Sequence, residues 1–154
     1  MIKKSFILIL FLLTTSCGYE AMHSKKNMLN YNFSINEVNY EGNRNINLQI
    51  KRGLSRYTLK KLGKEFRLDI KSFSTKKIVA KDTKGNPTSF KNTTMIDIVV
   101  YKGKKVKNRF KLIENFKYNN ISNKFDLRRY ENELEKNLAE TITKELIYKL
   151  SNIQ

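Results

Sequence analysis

The sequence predicts an α+β domain, a two-layer sandwich in which two helices pack on one face of a four-stranded, mostly antiparallel sheet, in the order β-α-β-β-β-α. Three observations predict it. Apolar residues recur every three or four positions in two separate stretches, the second of them long. Between those stretches, long runs alternate apolar and polar residues and are divided by Gly- and Pro-containing turns, and one further alternating run precedes the first helix. Each such element has one apolar face that must be buried, and two helices over one sheet is the layering this order suggests. The chain of 154 residues, 40% hydrophobic and 11% aromatic, has material for one core, which we expect to occupy a single domain over residues 33–154.

The elements follow in order. In FSINEVNY, residues 33–40, Phe33 and Ile35 alternate and Val38 and Tyr40 continue in the opposite phase, which predicts a strand with a slip or bulge. EGNRN interrupts it, and Ile46, Ile50, Leu54 and Tyr57 then recur at helical spacing, with Asn43 or Asn45 as the cap. Gly53 inside this helix costs about 1 kcal/mol relative to alanine, so the helix needs a surface to lie on. Phe66, Leu68 and Ile70 alternate with charged residues and open a strand that continues through KKIVAKD after a phase change near Phe73.

DTKGNPT, residues 82–88, is a turn by its Gly and Pro chemistry. The next strand carries Ile96, Ile98 and Val100, and KGK at 102–104 returns the chain into Val106, Phe110, Leu112, Phe116 and Tyr118, giving long antiparallel hairpins. Only one of their faces alternates apolar over most of the length, which leaves the other wet or reserved for a partner. Leu127, Tyr130, Leu134, Leu138, Ile142, Leu146 and Leu150 step by three and four and predict a long closing amphipathic helix. Asp126 is its expected N-cap, Phe125 and Tyr130 its hydrophobic staple, and Arg129 with Glu133, Glu140 with Lys144 and Glu145 with Lys149 its i, i+4 pairs.

The N-terminus has a different character. Lys3 and Lys4 precede the apolar octet FILILFLL at residues 6–13, and small polar Thr14, Thr15 and Ser16 follow, the layout of a secretory signal peptide over residues 1–16. The octet is far short of the roughly 20 apolar residues that span a bilayer. Cys17, the only cysteine, stands just past the small residues, so no intramolecular disulfide can form. LLTTSCGYE resembles a bacterial lipobox with Thr14 where leucine is usual, and the resemblance implies that Cys17 is lipidated and becomes the first residue of the mature chain. Acyl chains contribute about 0.8 kcal/mol per buried CH₂, and two or more of them anchor stably. Residues 17–32, polar and without period, are the expected lipidated N-terminus and tether. The same resemblance implies sorting to the outer membrane, since Gly18 and not an aspartate follows the cysteine.

The formal charge is +17. It is concentrated: residues 51–117 hold 20 Lys and Arg against 5 Asp and Glu, while the remainder of 17–154 holds 9 of each sign. Such asymmetry favours a functional basic region and an anionic partner. A catalytic role is not expected. The sole histidine, His23, lies in the tether without a second ligand nearby, the glycines stand singly, and six of the fourteen carboxylates lie on the last helix, where ion pairing accounts for them. We therefore expect neither an enzyme nor a metal or other cofactor beyond the covalent lipid. Secretion, and the lack of regularly interleaved exposed aromatics on the basic strands, argue against nucleic acid.

With these elements assembled, the chain resembles the lipopolysaccharide-assembly lipoprotein family, LptE. The stretches that carry the likeness are CGYEAMHS after the leader, INEVNYEGNRNINLQIKRGLSRY as strand and helix, AKDTKGNPTSF as a hairpin turn, and LRRYENELEKNLAETITKELIYKL as the closing helix. The resemblance implies an outer-membrane lipoprotein facing the periplasm or the barrel lumen. It would assist assembly of, and plug, the LptD-like β-barrel translocon and bind lipopolysaccharide during its insertion. Candidate contacts to lipid phosphates are Lys102, Lys104, Lys105 and Lys107, with Lys76, Lys77, Lys81 and Lys84 as further candidates, each an ammonium able to act as a point charge. A solvated edge that discourages aggregation would explain the same lysines. The alternative function is a lipid-anchored structural adaptor of another envelope complex, without affinity for glycolipid.

Overall fold

A computed structural model describes residues 32–59 and 63–153 of the chain. The leader, Cys17 and His23 lie outside the described residues. Six elements follow one another: β1 (Phe33–Gly42), α1 (Arg44–Thr58), β2 (Lys64–Lys81), β3 (Pro87–Lys102), β4 (Lys105–Asn119) and α2 (Lys124–Ser151). The strands form one sheet in the order β1-β2-β3-β4. β1 and β2 run parallel because α1 carries the chain across between them, while the two hairpins make the other pairings antiparallel. The fold class and element order match the expectation from sequence.

The slip in β1 is a register shift between Ile35 and Glu37 against β2. It turns Phe33 and Ile35 into the core while Val38 and Tyr40, only partly buried, pack against the same cluster. Asn43 caps α1, its side-chain carbonyl accepting from the backbone N–H of Asn45 and Ile46. Ile46, Ile50 and Leu54 are the buried face of α1, each contributing about 1.5–3 kcal/mol by leaving water. Gly53 is where the two helices meet: a Cβ there would lie 2.6 Å from the Thr143 Cγ2 methyl of α2.

Three local expectations are corrected. The cap of α2 is Asn123, which accepts from Phe125 N and Asp126 N; Asp126 instead lies in the first turn, where its carboxylate faces the positive helix end and meets Arg129 at 3.1 Å. Phe125 therefore falls inside the helix and is 73% exposed, and no staple forms; Tyr130 meets Tyr118 edge-on instead, with ring centroids 5.7 Å apart. Third, β2 shows no phase change at Phe73. Its pairing with β3 runs without a shift from Arg67 to Ile78, so Ser72 and Ser74 continue the helix-facing phase of Ile70 while Phe73 lies on the open face opposite Met95. Of the three expected i, i+4 pairs, Glu145 with Lys149 forms, at 3.4 Å, and Lys136 with Glu140 adds another at 3.9 Å.

The helix-covered side of the sheet holds two apolar clusters. The larger joins β1, α1, the first half of β2, the second half of β3 and the end of α2, around Phe66, Leu68, Ile98, Ile142 and Leu146. The smaller joins Phe90, Tyr118, Leu134 and Leu138, with Leu127 against it. Between them the same face carries Ser72, Ser74, Asn92 and Thr94, a polar seam across the middle of the sheet.

Candidate functional site

The period of two that buries one sheet face leaves the other uncovered by either helix. Cross-strand register sets the neighbours on this open face. From the β1 end, Glu41, Lys71, Asp97 and Lys111 form a row of alternating sign across all four strands, and Lys71 reaches Glu41 at 2.9 Å. Next come Phe73, Met95 and Ile113, an apolar row with Ile113 51% exposed. Thr75, Thr93 and Asn115 follow, and then Lys77, Lys91 and Lys117.

That last row is unlike the others. Three lysines stand directly opposite one another on β2, β3 and β4, within a span of about 10 Å at the usual strand spacing. None forms an ion pair among the described residues. Like charges directly opposed destabilise a sheet, and an anion seated over them removes the penalty. The neighbouring β2–β3 turn extends the basic area with Lys81 and Lys84, while its one carboxylate, Asp82, is engaged within the turn. Asp82 accepts from Lys84 N, Asn86 N and the Asn86 side chain, and these bonds, the Asn86 side chain foremost, hold its carboxyl below the ordinary value of 3.8.

The eight lysines singled out from sequence do not form one group. Lys102, Lys104 and Lys105 surround the β3–β4 turn, where Gly103 adopts φ 60. Lys107 is the extra residue of a β4 bulge and lines a groove of about 500 Å³ with Phe110, Tyr148 and Lys149. These four lie toward the opposite end of the sheet from Lys77, Lys81 and Lys84, about 30–50 Å away along the strands. Lys76 is different again. It projects on the helix side, its Nζ 2.5 Å from Glu131 Oε1 and 4.0 Å from the centroid of the Phe90 ring. Tyr118 donates to the same Glu131 oxygen at 2.8 Å, and burial, then this bond, pushes the phenol pKa up. The ammonium of Lys76 thus pins α2 to the sheet. Beside it, a groove of about 370 Å³ lies between the β4–α2 connection and the helix, lined by Phe90, Ile121, Leu127, Lys124 and Arg128 among others.

Lys91 and Lys117 complete the row and were not singled out from sequence. The available signal was parity: Lys91 shares the phase of Met95 and Asp97, opposite to Ile96 and Ile98, and Lys117 shares that of Ile113. Register between strands, which parity alone does not supply, is what sets them opposite Lys77. Elsewhere on the open face Asp69 accepts from Asn39 at 2.9 Å, which with Tyr101 and Arg67 keeps its carboxyl below the ordinary value, and Arg67 lies 4.0 Å over the Tyr101 ring. Among the described residues no group of three or more His, Cys, Asp or Glu is placed to hold a metal ion, and no helix is long and apolar enough to cross a membrane.

No family model matches the chain, and no curated protein does. Solved structures do. The rare lipoprotein B from Shewanella oneidensis superposes with a TM-score of 0.55 at 12% identity, covering 76% of this chain and 98% of its own. A minor lipoprotein from Acinetobacter baumannii gives 0.57 at 11% identity, with 77% and 92% covered. Lipoprotein B from Nitrosomonas europaea gives 0.52 at 14%, with 77% and 83% covered. At these identities the likeness is one of fold, shared with solved lipoprotein structures.

Proposed function

We propose that the protein is an outer-membrane lipoprotein, anchored through Cys17, that binds lipopolysaccharide and assists assembly of a β-barrel translocon within which it sits as a plug. The observation that carries the ligand half of this reading is the Lys77–Lys91–Lys117 row. Three opposed ammoniums on an uncovered face are an unfavourable arrangement for a free sheet and a favourable one under a phosphate-bearing ligand. The lipobox-like LLTTSCGYE and a fold shared with lipoproteins support the anchoring half. Lys81 and Lys84 extend the row, and Lys102, Lys104, Lys105 and Lys107 form a second, separate basic end.

The test is lipopolysaccharide binding by the full-length protein in detergent. Lys91→Glu, which places a carboxylate between two lysines, weakens binding about tenfold at low salt. It also raises the melting temperature without ligand, since two unfavourable cross-strand pairs become favourable at about 0.2–1 kcal/mol each. Weakened binding together with a raised melting temperature identifies a ligand site rather than damage to the fold. Reversing Lys104 and Lys105 to glutamate probes the other end in the same assay, and unchanged binding there removes that end from the site. The second reading, a lipid-anchored adaptor for another envelope complex, draws on the apolar row of half-buried Phe73 and Met95 with exposed Ile113. It is favoured if a β-barrel co-purifies from membranes while lipopolysaccharide binding is absent.

A further inference from the structure

β2, at 18 residues, runs well past the 10-residue β1 beside it. β1 pairs with β2 only from Phe33 opposite Lys64 to Gly42 opposite Ser72. There Gly42, at φ 96, turns the chain away into α1, and Asn43 N donates to Ser72 O at 3.1 Å, closing the pairing. Ser72 therefore aims its carbonyl toward the β1 side. In an extended strand the backbone groups of alternate residues point the same way, so the N–H and C=O of Ser74, Lys76 and Ile78 point to that side too. No strand lies there among the described residues. The β3 ladder on the other side runs on unbroken, from Ser74 opposite Thr94 to Ile78 opposite Phe90, and a bulge at Val79 ends the regular stretch.

This edge is open and apolar at its outer end: Ile78 is 49% and Val79 47% exposed. Its charges are one-sided. Lys77, Lys81 and Lys84 have no ion-pair partner among the described residues, while nearby carboxylates are already engaged, Glu131 by Lys76 and Tyr118, Glu135 by Asn43 and Asp82 within its own turn. A second copy of the same edge would set lysine against lysine. The complementary occupant is an extended segment that alternates carboxylates with apolar residues.

We propose that residues 74–78 take up an extended acidic strand of a partner protein by β-augmentation. Main-chain bonds to Ser74, Lys76 and Ile78 extend the sheet where β1 leaves it, carboxylates meet Lys77 and Lys81, and apolar residues cover Ile78. This goes beyond lipopolysaccharide binding, and its test is separate from that reading.

The probe is a capped octapeptide of alternating Glu and Val, added to the full-length protein in detergent and followed by fluorescence anisotropy and amide hydrogen exchange. The expected result is binding with at least about tenfold slower exchange at the 76 and 78 amides, and binding at least about tenfold weaker for a Lys-Val octapeptide. Ile78→Pro removes an outward N–H while sparing the β3 ladder, so it abolishes peptide binding and leaves lipopolysaccharide binding unchanged. If this variant loses its fold by circular dichroism, the exchange pattern of the unmodified protein decides alone. Equal binding of the Lys-Val peptide, or binding without protection at 76 and 78, overturns the proposal. Dimerisation of the protein that Ile78→Pro removes would overturn it too, because the occupant would then be a second copy.

Discussion

At the scale of single residues, Gly53 shows how one position can answer to two demands. Its helix would be stabler with alanine by about 1 kcal/mol, yet the place a Cβ would take lies 2.6 Å from Thr143 Cγ2. Thr143 cannot swing aside cheaply, because its hydroxyl donates to Ala139 O at 2.7 Å and the side chain is buried. Gly53→Ala accordingly lowers stability, by about 1–3 kcal/mol in urea denaturation, and adding Thr143→Ser, which deletes the methyl and keeps the hydroxyl, restores most of the loss. From sequence, Gly53 was legible only as a cost that some surface had to compensate. That the surface is a threonine one helix away depends on contact between residues 90 positions apart.

Among the elements, the β2–β3 hairpin has its own pH dependence. Asp82 receives two backbone N–H groups and the Asn86 side chain, and the turn is completed by Gly85 at φ 84. Its folded carboxyl titrates below 3.8, so the stability it contributes is complete above that value and is lost as pH falls through the folded one. A carboxyl-detected NMR titration should place the Asp82 midpoint below 3.8, and Asn86→Ala should move it up toward that value, with amides 84 and 86 losing exchange protection as the carboxyl protonates. The turn was readable as DTKGNPT, whose Asp, Gly and Pro are turn residues for known steric reasons. Local sequence does not place the cap of α2, because Asn123 and Asp126 are both good capping residues and only the path of the chain into the helix distinguishes them.

Over the whole molecule, the polar seam divides the core, and the far end depends on few contacts. The buried Thr94 Oγ1 on that seam has no hydrogen-bond partner among the described residues, which marks it as a weak line. Beyond it, Phe90, Tyr118, Leu134 and Leu138 form a small cluster to which Glu131 binds both Lys76 and Tyr118. Glu131→Ala leaves a phenol and an ammonium without their acceptor and should cost about 1–3 kcal/mol. In hydrogen exchange the loss should appear first at β3 residues 90–92, with residues 96–100 in the larger core protected as before. Equal loss of protection in both halves would show that they unfold as one unit. Both the lysine row and the open β2 edge belong to the half built on this smaller cluster.

Local chemistry determined much of this protein by itself. Alternation and helical periodicity, with the turn residues between them, specified six elements, their order and the layered class, because each element must bury its apolar face whatever the neighbours are. The sequence also determined that one sheet face would be left without apolar cover. Tertiary structure decided what stands beside what. The eight candidate lysines fall at two ends of a long sheet, one of them is consumed in an ion pair, and two lysines outside that set, Lys91 and Lys117, join Lys77 in a row. Strand register and the early exit of β1 at Gly42 are non-local, set by pairings between residues far apart in the chain, and they alone created the lysine row and the unpaired edge.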